Sequence, residues 1–186
     1  MITGNELQGT PNDMPRPSIN SKDIIQQIED EAYQAYQTFS PQTLQDRSNM
    51  ITLFFEDVVD DLIDETLEDL QEKFENETGE EAGNLLEKIN KLEDEEINKR
   101  EILNIVPFNT IVERIKDKIR AEQQSSKSEY VMQEYQKVLD NFNYLMDNAC
   151  RIIEDRMRIR IIPKKVKNHK GEIEYQGLVS KDPLTE

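Results

Sequence analysis

SEYVMQEYQKVLDNFNYLMDNACRIIEDRM, residues 128–157, decides the fold. Val131, Tyr135, Val138, Phe142, Leu145, Ala149 and Ile152 recur at spacings of four and three. That is the repeat of a helix burying one stripe lengthwise against another helix. Ser126-x-x-Glu129 is a capping pattern at its start. Run without a break from Ser128 to Met157, such a helix is about 45 Å long at 1.5 Å per residue, a single rigid spine.

Upstream, the pattern stays helical. A first helix is expected from Asn20 or Ser21, with Asp23 in its first turn, burying Ile24, Ile25, Ile28, Ala32, Tyr36 and Phe39. Ser40 and Pro41 then cap and open a second helix, because proline at the first helical position sacrifices no hydrogen bond. It runs to about Asn76 with Gly79 beyond its end. Ile51, Phe55, Val58, Leu62 and Thr66 form its stripe, widened by Phe54, Val59, Ile63, Leu67, Leu70 and Phe74, so it should meet more than one partner helix. A third helix is expected from Glu81 to Asn104, weakened by the run Glu93-Asp94-Glu95-Glu96 and closed by Pro107. A short fourth is opened by the capping pattern Thr110-x-x-Glu113 and fades at Gln123-Gln124-Ser125-Ser126.

Downstream of the spine the period changes from helical to alternating. Arg158-Ile159-Arg160-Ile161 and Lys164-Lys165-Val166-Lys167 flank Pro163, and Glu172-Ile173-Glu174-Tyr175 follows the polar turn Asn168-His169-Lys170-Gly171. This reads as a β-hairpin, with Pro163 at an edge or bulge. A lone hairpin is marginal in water and needs a surface to lie on. Residues 1–19 carry Gly4, Gly9, Pro11, Pro15 and Pro17 with few apolar side chains, and are expected to form an extended or disordered arm. The expected fold is mostly α: an elongated helical bundle or long helical hairpin (20–157) between that arm and a small basic β-hairpin (158–180), with a tail at 181–186.

Composition supports this plan. Of 186 residues, 35% are hydrophobic and 33% charged, with no Trp, a balance suited to amphipathic helices that each keep a wide wet face. The net charge of −16 is unevenly placed. Residues 51–100 hold 18 Asp or Glu against 5 Lys or Arg, whereas residues 151–170 hold 8 Lys or Arg against 2 acids. An acidic rod therefore stands against a basic patch. The lone Cys150 rules out an intramolecular disulfide and fits a reducing compartment. No apolar stretch reaches the ~20 residues of a membrane span, and no secretory signal opens the chain, so a cytoplasmic or virion location is expected.

Asp57, Asp60, Asp61, Asp64, Glu65, Glu68 and Asp69 crowd the second helix, but a di-iron bundle requires Glu-x-x-His pairs and no His occurs there. A solvated acidic face is the plain reading. A dyad of Cys150 and His169 would require a surface thiolate, and Cys150 sits on a packing face. Phosphate loops and nucleophile elbows are missing from the sequence, so no enzyme, metal or cofactor is expected. Nucleic acid could be met only through residues 151–170, where base-stacking aromatics are scarce. Partner contacts are expected at Arg156, Arg158, Arg160, Lys164, Lys165 and Lys167 and at Asp57, Asp60, Asp61, Asp64 and Glu68. A structural assembly subunit is expected first, such as a bacteriophage neck, connector or head-tail component, with copies of itself among its partners. Behind it stand a scaffold or regulatory subunit of a replication or transcription complex, and an acidic DNA mimic.

Overall fold

Ser40 and Pro41 open the helix around which the rest is built. The Ser40 hydroxyl accepts from the Thr43 amide at 3.2 Å, and the proline occupies the first turn. From there α2 (Pro41–Glu75) runs 35 residues, about 52 Å at 1.5 Å per residue. The computed structural model describes residues 21–162, 164–176 and 178–180. The expected arm (1–19), the tail (181–186) and Pro163 lie outside the described residues.

Among the described residues there are six further helices: α1 (Ser21–Thr38), α3 (Gly79–Glu93), α4 (Asn98–Ile105), α5 (Phe108–Ser125), α6 (Glu129–Asp140) and α7 (Phe142–Met157). Strands β1 (Arg160–Ile162), β2 (Lys165–Lys167), β3 (Ile173–Tyr175) and β4 (Leu178–Ser180) follow. The chain is mostly α with a small C-terminal antiparallel β element, as the periodicities require. Ile51, Phe55, Val58 and Val59 of α2 are fully buried with Ile111, Val112, Ile115 and Ile119 of α5 and Leu145, Met146, Ala149 and Ile153 of α7. Ion pairs give the directions. Asp61 with Lys118 and Glu65 with Arg114 set α5 antiparallel to α2, whereas Arg47 with Glu134 and Glu56 with Arg156 set α6 and α7 parallel to it. Three residues, Asn76 to Thr78, return the chain as α3, which opens on Gly79 at φ +68, a left-handed conformation natural to glycine.

Five helical expectations are corrected. The spine is two helices, because Asn141 (φ −116, ψ 23) leaves the helical conformation between α6 and α7. The third predicted helix is also two: Asp94 bonds the Glu96 amide with its own carboxylate at 2.9 Å, and the charged run becomes a turn between α3 and α4. Thr110 is no cap, since α5 begins at Phe108 directly after Pro107. Ser128, not Ser126, caps α6, accepting from the Val131 amide at 3.3 Å. In α1, Ile25 and Tyr36 are 55% and 63% exposed rather than buried, and Tyr33 is 66% exposed.

The β element is a ribbon of two antiparallel two-stranded pairs that share one register. Arg160 faces Ser180 and Ile162 faces Leu178 in the outer pair, and Lys165 faces Tyr175 and Lys167 faces Ile173 in the inner one. The Gln176 amide, bonding the Lys164 carbonyl at 2.6 Å, carries the register between them. Arg158, at φ 56, ends α7 in the left-handed region and turns the chain into the ribbon. Buried Ile159, Ile161 and Tyr175 hold the ribbon to the helices, with the Tyr175 ring 5.4 Å from Phe108. The surface that a lone hairpin lacks is thus supplied by the body.

Candidate interaction surfaces

The acidic side chains of α2 differ sharply along its length. Near the middle they are answered within the chain: Asp60 by Lys99 of α4 at 3.7 Å, Asp61 by Lys118 of α5 at 3.2 Å, and Glu65 by both nitrogens of the Arg114 fork at 2.6 and 2.8 Å. That fork holds the Glu65 carboxyl below its ordinary range. Asp57, Asp64 and Glu68 are exposed and make no ion pair among the described residues.

The basic cluster divides in the same way. Arg156 grips Glu56 at 2.8 and 3.0 Å. Lys165, its side chain only 8% exposed, bonds Asp147 at 2.6 Å, and Lys167 lies 3.6 Å from Asp23 of α1. These three are engaged internally. Arg160 and Lys164 stay exposed on the outer face of the ribbon, on either side of Ile162, which is 50% exposed.

Sequence reasoning missed the junction of α1, α7 and β2. The break at Asn141 makes Tyr144 a first-turn residue of α7, and its amide needs an acceptor from outside the helix. Glu31, 113 residues away on α1, provides it with its carboxylate. Burial lifts the Glu31 carboxyl above its ordinary range, against the Tyr144 amide and Lys165, which both favour the anion. No local motif marks this cap. A recess of about 400 Å³ opens beside it, with Asp147, Lys165, Glu154 and Arg151 on its walls. Cys150 also touches this recess but lies buried, paired with the Tyr175 hydroxyl at 2.8 Å, and burial pushes its thiol up to about 12. A thiol so placed stays protonated at neutral pH, and its partner is Tyr175 rather than the exposed His169.

Two apolar surfaces remain. One is the outer stripe of α1, with Ile25, Tyr33 and Tyr36. The other is a groove of about 170 Å³ between α2 and α6, walled by Met50, Tyr130, Val131, Tyr135 and Val138 and crossed by the 3.2 Å pair of Arg47 and Glu134. Among the described residues no three His, Cys, Asp or Glu side chains converge to hold a metal ion, and no helix is long and apolar enough to cross a membrane. Compared with known proteins, the chain matches no family model, no curated protein and no solved structure.

Proposed function

We propose that this chain is a non-enzymatic structural subunit of a larger assembly, acting through contacts with other protein subunits. The observation that carries the reading is α1. Of its described side chains only Ala35 is buried, while Ile25, Tyr33 and Tyr36, the last touching Tyr144 at one edge, are more than half exposed on one stripe. Large aromatic side chains gathered on a helix are the anchors protein interfaces favour. A bacteriophage neck, connector or head-tail component is the setting we propose, on the Asn-, Ile- and Lys-rich usage and the plan of a helical body bearing a small β element.

The test is sedimentation of the chain in extracts of the cells or particles that naturally contain it. It should run far heavier than its own 21.8 kDa, and Tyr33→Ser with Tyr36→Ser should return it to the free fraction with helicity unchanged. A chain that runs there as a free monomer refutes the proposal.

A further inference from the structure

We infer that the outer face of the C-terminal ribbon docks on the acidic far end of α2 and α3 in a second copy of this chain, so that copies join head to tail. This rests on the assembly reading and names one partner for it.

The ribbon presents two faces. Ile159, Ile161 and Tyr175 are buried toward the helices, while Arg160, Ile162, Lys164 and Gln176 face water. The outer face is therefore a half-exposed isoleucine between two cations. An apolar centre with a charged rim is how a protein-binding patch is built.

The matching charge lies on the other end of the molecule. Residues 66–87 hold eight Asp or Glu against Lys73, and among the described residues no ion pair reaches any of them. Glu68, Glu72 and Glu75 follow at spacings of four and three, so they form one row on α2. Exposed Leu86 on α3 adds an apolar anchor to this end.

One molecule cannot bring the two together. Arg156 holds the end of α7 to Glu56, and the row from Glu68 to Glu75 begins twelve residues further along α2, about 18 to 28 Å away at 1.5 Å per residue. That exceeds both a side chain's reach and the ~8 Å screening length at physiological salt. A neighbour's ribbon is not so limited. Because the two patches differ, the contact is heterologous and propagates to a ring or filament.

Charge reversal tests this by complementation, read by sedimentation velocity with circular dichroism as the folding control. The wild type should associate at low salt and return toward monomer as salt rises. Arg160→Glu with Lys164→Glu should be monomeric alone, as should Glu68→Lys with Glu72→Lys. Mixed in equal amounts the two variants should associate again, because each then offers the other a complementary patch. If either reversal loses helicity, the neutral Arg160→Gln with Lys164→Gln replaces it and should still abolish association. A wild type monomeric at every salt, or a mixture that stays monomeric, overturns the inference. In either case a heavy complex in native extracts would leave the subunit reading standing, and a free monomer there would remove both.

Discussion

The two halves of α2 are both acidic and have opposite fates. From Arg47 to Glu65 the helix is ringed by α4, α5, α6 and α7, its core stripe from Ile51 to Ile63 is buried, and Glu56, Asp60, Asp61 and Glu65 each have a cation within 4 Å. From Thr66 onward Leu70 is its one buried residue, and its carboxylates stand unpaired among the described residues. Like charges at helical spacing repel wherever nothing answers them. An acidic helix is thus a structural element or a docking surface according to what folds back against it.

The largest expected effect breaks that contrast at the core. Phe55→Ala removes a fully buried ring from the near half and should cost about 3–5 kcal/mol in denaturant unfolding. Leu70→Ala, at the thinly covered far half, should cost clearly less, about 2 kcal/mol or under. Equal costs would mean that the far half is as tightly held as the near one.

Intermediate effects belong to Glu31, which ties α1 to the packed region. Glu31→Ala leaves the Tyr144 amide without its acceptor and should cost about 0.5–2 kcal/mol, the range for a lost cap. Glu31→Gln keeps an acceptor and removes a buried charge, so it should be at least as stable as the wild type at pH 7. The pH dependence has a definite sign. Burial raises the folded-state value above the ordinary 4.5, so the folded chain binds the proton more tightly than the unfolded one. Its contribution is therefore full below pH 4.5 and declines as pH rises through the folded value. Glu65 and Glu134, lowered by Arg114 and by Lys137 and Arg47, act oppositely: their contribution is present above 4.5 and is lost as pH falls below it. Urea melts between pH 4 and 8 should show a decline in the wild type that the Gln variant lacks, and identical curves would sink the assignment.

The smallest effects compare surface charges. Arg114→Ala breaks an exposed fork and should cost under about 1 kcal/mol, less still at high salt. Glu72→Ala, in the unanswered row, should be neutral or slightly stabilising. A larger loss at Glu72 than at Arg114 would show that the far carboxylates are already satisfied.

What the sequence determined by itself was local. Ser40 with Pro41 opens α2, and the stop at Asn76 closes it, because a cap bonds only its own neighbours. The change from helical spacing to alternation after Met157 specified the ribbon, since each period places side chains on one face regardless of partners. The tertiary structure decided the rest. Val138 and Phe142 keep their spacing of four across Asn141, so periodicity is blind to a break that one residue's dihedrals produce. Ile25 and Tyr36 sit on a correct helical stripe that stays largely exposed, Tyr36 meeting only the edge of Tyr144, because amphipathicity records which side chains are apolar and not whether a neighbour arrives. The cap from Glu31, the burial of Lys165 against Asp147 and the pairing of Glu65 with Arg114 join residues 113, 18 and 49 apart. Each depends on where helices come to rest, and that is set by the summed packing of the whole core rather than by any stretch of chain.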